Sequence, residues 1–215
     1  MKIGLLSDAH GNKYGLELCL KFFEKEKIKK IFYLGDTLDY FPDHNQVCSI
    51  LKKKVFGCLL GNHDVNRLDN FNANNKAYLS QLLPIKEVQL LGRKLLFVHG
   101  SPWDPLNEYI FSDSDLSEFQ KLSCDAVFMG HTHRPFSQKI AGKLIVNVGS
   151  CGQPRDFGIM SSCAIYDLEK NDVNIYRIPM KIDKILTMYA KETNDSIKKT
   201  LERTTENLIG KVVNI

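Results

Sequence analysis

The polar stretch GHTHRP, at residues 130–135, places two histidines directly after the apolar run AVFM. His131 and His133 stand two residues apart, as do Asp8 and His10 after the apolar run KIGLL. Because residues i and i+2 of an extended segment point the same way, each pair can face one site. Carboxylates and imidazoles are the donors that ions such as Mn, Fe and Zn accept in proteins. The two pairs therefore predict a metal site.

Three further polar clusters follow apolar runs in the same way. GDTLD follows IFYL, GNHD follows VFGCLL, and HG follows KLLFV. Ligands of open α/β sheets bind at the carboxyl ends of strands, so all five clusters are expected to meet in one crevice. The clusters contain no cysteine, which argues against a thiolate site, and their donors are too many for one ion and about right for two. These donors are Asp8, His10, Asp36, Asp39, Asn62, His63, Asp64, His99, His131 and His133.

A single cluster has a simpler explanation than metal binding. A DxH or GxHxH segment alone is more typical of a turn with a hydrogen-bonded histidine, and Asp39 and Asp64 alone fit Asx turns or helix caps. Five such clusters, each at the end of a predicted strand, are not expected from turns alone. The joint pattern therefore favours a metal site over five unrelated turns.

Alternating strand and helix patterns position these clusters. Apolar residues at helical spacing follow the first strand, and residues 43–54 suit a second helix. The first half reads as α/β and the second half as mostly β. Residues 181–210 form a late helical pattern that is predicted to pack on the domain or on a second copy of the chain, which leaves a homodimer open. The predicted strands are KIGLL, IFYL, VFGCLL, VQLLG and KLLFV (a hairpin around Gly92-Arg93), AVFM, KLIVNV, SCAIYDL and VNIYRIP.

Length and composition predict one soluble domain. The chain has 215 residues, of which 43% are hydrophobic and 25% charged. No apolar run approaches about 18 residues, and the first residues lack the pattern of a signal peptide, so we expect a cytoplasmic protein with no membrane partner. The net charge of +4 mildly favours anionic substrates but is far below that of a dedicated nucleic-acid binder.

The ordered clusters resemble the signature of the calcineurin-like metallophosphoesterase superfamily, which reads DxH, GDxxD, GNHD, a separate H, and GHxH. The resemblance covers residues 1–180, and the flanking segments HGSPWDPLNEYI and NVGSCGQPRD are similar to those of small bacterial and archaeal phosphoesterases. It implies an α/β fold of two packed mixed β-sheets flanked by helices, a four-layer αββα sandwich. We expect residues 181–215 to add a helical segment packed on the same domain.

The resemblance also implies a mechanism with two divalent ions of the Mn, Fe, Ni or Zn type. One ion would bind Asp8, His10, Asp36 and His133, and the other would bind Asp36, Asn62, His99 and His131. Asp36 would bridge the two ions. His63 would contact phosphate and protonate the leaving oxygen, with Asp39 orienting it. A hydroxide held between the ions would hydrolyse a phosphomonoester or phosphodiester, with a small phosphorylated compound or a nucleotide as substrate.

One position departs from the family pattern. Protein phosphatases follow GDxxD with an Arg that holds phosphate, whereas this chain has Tyr40, which makes a protein phosphatase less expected. Arg155 or Arg134 would then supply the missing cation, although a surface salt bridge explains either residue equally well. Trp103 either stacks on a base or an aryl leaving group, or anchors a loop.

The main functional alternative is a non-catalytic binding scaffold of the same fold, as in the retromer subunit, whose active site is degenerate. The intact motif set of this chain favours an enzyme instead.

Overall fold

Two mixed β-sheets lie at the centre of the computed structural model, which describes residues 1–191, 195–205 and 207–215. The first sheet has the spatial order β11 (Lys211–Val212), β10 (Asp172–Pro179), β9 (Met160–Asp167), β1 (Lys2–Leu6), β2 (Lys30–Tyr33) and β3 (Gly57–Cys58). The second has the order β4 (Ile85–Leu90), β5 (Arg93–Val98), β6 (Ala126–Met129), β8 (Lys143–Asn147) and β7 (Phe136–Ile140).

Short helices flank the sheets. The first one begins where the Asn12 side chain accepts a hydrogen bond from the Gly15 N–H at 3.0 Å, and Leu16, Cys19 and Phe23 then pack its apolar face on the first sheet. Within the described ranges, no helix has both the length and the apolarity to cross a membrane. The α-helices are α1 (Lys13–Lys25), α2 (His44–Lys54), α3 (Asn62–Asn66), α4 (Ala73–Leu79), α5 (Ile182–Met188) and α6 (Asp195–Leu201), and 3₁₀ turns lie at Leu68–Asn70 and Ser117–Lys121.

The main core lies between the two sheets. Ile3 and Leu5 point from β1 into this core, while the next residue, Leu6, packs with α1 on the opposite face of the sheet. Phe32 of β2 stacks on Phe97 of β5 with ring centroids 4.2 Å apart, so the sheets meet face to face. The predicted pair of mixed sheets flanked by helices is thereby confirmed.

The strand ends that carry the polar clusters lie together. Strands β1, β2 and β3 run parallel in one sheet, and β5, β6 and β8 run parallel in the other. The Asp8 N–H donates to the Gly35 carbonyl at 2.9 Å and joins the loops after β1 and β2. The Cys151 N–H donates to the Ser7 carbonyl at 2.9 Å and joins a loop of the second sheet to one of the first. Backbone bonds therefore fix the loops of both sheets at one edge.

Three local predictions differ from the structure. Only Gly57–Cys58 of the run VFGCLL pairs as a strand, and the polar strand Phe136–Ile140 was not predicted. Among its described residues, the helical pattern of residues 181–210 forms two short helices; beyond it, the chain turns at Gly210 and adds Lys211–Val212 to the edge of β10. Residues 192–194 and 206 of that predicted pattern lie outside the described residues.

The C-terminal helix α5 packs on the domain through one side chain above all. Ile185 is 0% exposed and lies with Tyr14 and Phe41, whereas Met188 of the same helix is 42% exposed. We expect Ile185→Ala to lower the free energy of unfolding by about 2–5 kcal/mol, as for other buried aliphatic truncations. Met188→Ala is the matched control and should change it by less than about 0.5 kcal/mol in urea unfolding. Equal, small effects would show that α5 does not pack on the domain.

Candidate metal centre

The carboxylates and histidines of the clusters form two adjoining groups. Asp8, His10, Asp36 and His133 make up the first, and Asp36, His99 and His131 the second; within each group the potential ligand atoms lie within 4.8 Å of one another. All of these side chains are buried. Asn62 joins the second group, since its Oδ1 lies 3.1 Å from His99 Nε2. The structure thus brings together all seven residues that the sequence predicted as ligands.

Backbone carbonyls orient three of the imidazoles. His10 Nδ1 lies 2.8 Å from the Leu38 carbonyl, His99 Nδ1 lies 2.7 Å from that of Leu34, and His133 Nδ1 lies 2.7 Å from that of Gln153. A carbonyl only accepts hydrogen bonds, so Nδ1 carries the proton in each ring. When such a ring is neutral, its Nε2 atom presents a lone pair to the centre, as metal-binding histidines require.

His131 has the opposite orientation. Its Nε2 lies 3.3 Å from the Asn107 carbonyl, so Nε2 carries the proton. Nδ1 is left with the lone pair that can bind a metal ion. His131 therefore presents Nδ1 and His133 presents Nε2, and the two rings belong to different donor groups.

The donor atoms need a cation to be satisfied. His10 Nε2 and His133 Nε2 lie only 3.0 Å apart, and two lone pairs cannot bond to each other. Asp8 Oδ1 and Asp36 Oδ2 are buried and accept no hydrogen bond from a described residue. Unpaired buried acceptors are costly, and a metal ion removes that cost. The residues present therefore fit the divalent ions that the motifs imply.

Asp36 lies between the two groups. Its Oδ2 is 3.5 Å from His10 Nε2 and 3.4 Å from His99 Nε2, while its Oδ1 accepts the His63 N–H at 3.0 Å. The Asp36 carboxylate can lie here because residue 61 is a glycine. A Cβ on Gly61 would stand only 2.0 Å from Asp36 Oδ1. This placement suits a carboxylate shared by two ions.

The electrostatics of Asp8 and His10 in the first group, and of His131 in the second, favour a cation. Burial raises the pKa of Asp8, but the His133 imidazole more than offsets this and brings it to about 2. Burial lowers the pKa of His10 to about 3 and that of His131 to about 4. An ionised carboxylate beside neutral imidazoles is the protonation state that metal ligation needs.

The Asp36–His99 pair holds a proton when no metal is bound. Burial raises the pKa of Asp36, but His99 outweighs this effect and keeps the pKa well below its usual range. Burial lowers the pKa of His99, but Asp36 reverses this and raises it to about 9. A divalent ion has to displace this proton, so binding of metal at this pair is coupled to proton release.

The backbone of the centre is strained. Six of the nine candidate metal and catalytic residues have positive φ angles, which side chains other than glycine rarely adopt. Backbone hydrogen bonds hold them there, including that from the His10 N–H to the Asp36 carbonyl at 3.0 Å. The six are Asp8 (55°), His10 (46°), Asp36 (60°), Asp39 (103°), His131 (66°) and His133 (59°).

Asp64 supports the loop after β2 and is not among the grouped donors. Its carboxylate accepts the N–H groups of Asp36 (2.9 Å), Thr37 (2.8 Å), Leu38 (3.2 Å) and Gly61 (3.1 Å). Burial raises its pKa to about 7 against the effect of these donors. The sequence places Asp64 among the donors of the clusters, with a turn or helix cap as the simpler explanation, and does not indicate its role in holding the Asp36 loop.

His63 and Asp39 form a pair beside the metal centre. His63 Nδ1 lies 2.8 Å from Asp39 Oδ2, and the His63 ring lies edge-on to that of His10 with centroids 5.0 Å apart. The hydrogen bond to Asp39 raises the pKa of His63, and the same bond lowers the pKa of Asp39. Arg67 also forms an ion pair with Asp39, which no motif had indicated.

The two candidate substrate arginines occupy different places. Arg155 Nη2 lies 3.5 Å from the Tyr40 hydroxyl, and Tyr40 in turn lies edge-on to His10 with ring centroids 4.9 Å apart. Arg134 instead is exposed and lines a neighbouring cavity. Trp103 is 49% exposed and packs edge-on against Phe119, with centroids 4.8 Å apart.

Comparisons with known proteins agree with this architecture. An uncharacterized protein of Methanocaldococcus jannaschii is 30% identical over 220 residues, which cover 85% of this chain and 89% of the relative. A metallophosphoesterase from Sphaerobacter thermophilus has a similar structure, with a TM-score of 0.81 and 23% identity over 94% of this chain and 98% of that chain. Vps29 from Entamoeba histolytica, solved in complex with Zn²⁺, gives a TM-score of 0.53 and 16% identity over 82% of this chain and 91% of that chain.

The family model of the calcineurin-like phosphoesterase superfamily domain matches residues 1–171. This range contains the two donor groups and both sheets apart from the strands β10 and β11 at one edge. On this match, and on the shared fold, the chain belongs to the calcineurin-like phosphoesterase superfamily.

Proposed function

We propose that this protein is a metal-dependent phosphoesterase that hydrolyses phosphomonoesters or phosphodiesters at a centre of two divalent ions. The observation that carries the proposal is the convergence of three carbonyl-oriented Nε2 atoms on two buried carboxylate oxygens that accept no hydrogen bond from a described residue. The His63–Asp39 pair beside this centre supports hydrolysis rather than metal storage, because a storage site has no need of a positioned acid.

The residues divide the work between holding ions and moving a proton. Bound Mn, Fe, Ni or Zn ions would activate water and neutralise charge on the phosphoryl group. Asp8 and Asp36 are two negative charges against four positive ones, so the loaded centre keeps a net charge of about +2 that attracts a phosphoryl anion. His63 has Nδ1 engaged by Asp39, which leaves Nε2 to donate a proton to the leaving oxygen.

A substrate panel with metal-reconstituted protein tests the proposal. The chain is stripped with chelator, reloaded separately with Mn, Fe, Ni or Zn, and assayed on p-nitrophenyl phosphate, bis-p-nitrophenyl phosphate and nucleotide esters. We expect hydrolysis that requires reloading and a metal content near two equivalents. Metal binding without turnover of any ester would contradict the enzyme and favour the binding-scaffold alternative.

Arg155 is proposed to hold the substrate phosphate in place of the arginine that the Tyr40 position lacks. Arg155→Gln should lower kcat/KM by about 10- to 100-fold, mainly through KM, because a hydrogen bond to a charged group is lost. The metal content should stay unchanged. Arg93→Gln is the matched control, since Arg93 is also half-buried but pairs with Asp125. An unchanged KM in Arg155→Gln would remove Arg155 from the substrate site.

A further inference from the structure

An aromatic surface borders the metal centre on the side of His131. The Tyr109 ring stacks on the His131 imidazole with centroids 4.0 Å apart and an angle of 26° between the planes. Tyr109 is nevertheless 46% exposed. The Phe111 ring lies nearly parallel to that of Tyr109, at 7°, with centroids 6.1 Å apart. Two aligned aromatic rings thus extend outward from a candidate metal ligand.

Hydrogen bonds hold the segment that carries these rings. The Asn107 carbonyl is bonded to His131 Nε2 at 3.3 Å, two residues before Tyr109. The Phe111 N–H donates to Ser114 Oγ at 2.9 Å, and the Gln138 side chain donates to the Ser112 carbonyl at 2.6 Å. The rings are therefore placed before any ligand binds, which lowers the entropy that binding costs.

A cavity continues from Phe111. It has a volume of about 790 Å³, and its lining includes Phe111, Asp113, Arg134 and Pro135. This volume lies in the range of about 300–1,000 Å³ that is typical of small-molecule sites. Phe111 lines the cavity and lies beside Tyr109, whose ring stacks on His131, so the aromatic surface connects the cavity to the metal centre.

The cavity offers both a cation and an anion to a ligand. Asp156 also lines it, but its carboxylate is already paired with the buried Arg177, whose Nη2 lies 2.8 Å from Asp156 Oδ1. Among the described residues that line the cavity, Arg134 and Asp113 are the exposed charged groups that remain. A donor and an acceptor beyond an aromatic surface match the polar edge of a nucleobase, which carries both kinds of group.

We propose that Tyr109 and Phe111 form a nucleobase subsite, so that the substrates are phosphoesters of nucleosides. This inference rests on the proposed function for the position of the phosphate at the metal centre. The base would stack on the aromatic surface, and its edge would face Arg134 and Asp113. Stacking of a base on an aromatic side chain typically contributes about 5- to 100-fold in affinity.

Matched ligands with and without a base test the subsite. Binding is measured by calorimetry on the manganese-loaded and on the chelated full chain, with the non-hydrolysable methylenephosphonate isosteres of AMP and of ribose 5-phosphate. We expect the AMP isostere to bind about 5- to 100-fold more tightly. Phe111→Ala and Tyr109→Ala should each reduce this ratio toward one. Tyr109→Phe, which keeps the ring, and Phe56→Ala, which removes an exposed aromatic ring that packs on Phe32 outside the site, should retain it.

The ratio separates this proposal from the proposed function. A change in metal affinity in Tyr109→Ala affects both ligands alike and cancels in the ratio. Equal binding of the two isosteres by the unchanged chain, or a preference that survives both alanine substitutions, would overturn the subsite even if p-nitrophenyl esters are hydrolysed. A preference that both substitutions abolish supports the subsite, and absence of turnover in the same preparation would then count against the hydrolase alone.

Discussion

His63→Ala should retain both metal ions and lose most of its turnover. The imidazole belongs to neither donor group, and its Nδ1 is bonded to Asp39 at 2.8 Å, so its removal takes away an acid and not a ligand. General acid–base catalysis typically contributes about 10²–10⁴-fold, and we expect kcat to fall by that factor on an alkyl phosphoester. The loss should be smaller for a p-nitrophenyl ester, because p-nitrophenolate leaves without a proton.

Two companion variants make this test specific. Asp39→Asn should lower kcat in the same direction but less, since the imidazole remains while its partner loses its charge. His44→Ala is the matched control, because His44 is the one histidine outside the motifs and its Nε2 bonds to the Asn70 carbonyl at 3.1 Å. Metal content and kcat are measured on the same preparations. If His63→Ala removes an ion, His63 is a ligand, and if it changes neither quantity on either ester, the catalytic role fails.

Asp36→Asn should affect both ions at once. Asp36 Oδ2 lies within 3.5 Å of His10 Nε2 in one group and 3.4 Å of His99 Nε2 in the other. The amide keeps the shape of the side chain and an oxygen that can accept the His63 N–H, but it removes the shared negative charge. We expect the metal content to fall from about two equivalents to below one, and kcat to fall by about 10³-fold or more, because metal catalysis contributes several kcal/mol.

A variant of a residue that belongs to only one donor group is the comparison for Asp36→Asn. His133→Ala should reduce the metal content by about one equivalent, because His133 belongs only to the first group. Asp125→Asn is a control for loss of a carboxylate outside the centre, where Asp125 pairs with Arg93. Elemental analysis after reloading measures all three variants. A content in Asp36→Asn that equals that of His133→Ala would show that Asp36 does not bridge.

Much of the candidate centre could be predicted because its donors are side chains with a fixed spacing. Asp8 and His10, for example, follow a buried strand by two and four residues, and their position at its carboxyl end predicts a shared site, although their positive φ angles show that the segment itself is not extended. The groups that orient the imidazoles could not be predicted in this way. The carbonyls of Leu34, Leu38 and Gln153 exist at every position of a chain, and only the folded backbone selects these three.

The fold shows the same division between local and long-range information. Strands such as Ala126–Met129 are buried on both faces and read as continuous apolar runs, so the sequence predicts them. The edge strand Phe136–Ile140 is mostly exposed or half-buried and lacks an apolar run, although its pairing with β8 is a local hairpin in which Ile140 faces Lys143. At the C-terminus, the expected helical segment of residues 181–215 ends in a strand, because Lys211–Val212 pairs with the edge of β10, a partner far away in the sequence.

The positive φ angles of the metal centre set stability against chemistry. A residue with a Cβ typically costs roughly 1–2 kcal/mol in this conformation, and glycine avoids that cost. At Asp8, His10 or His133, a substitution by glycine would relieve backbone strain and in the same step delete a candidate ligand. A mutant library selected for heat resistance alone should therefore enrich changes at these positions and lose the centre early. Engineering this protein for thermal stability would have to screen for metal binding in every round, because the same substitutions raise stability and remove metal ligands.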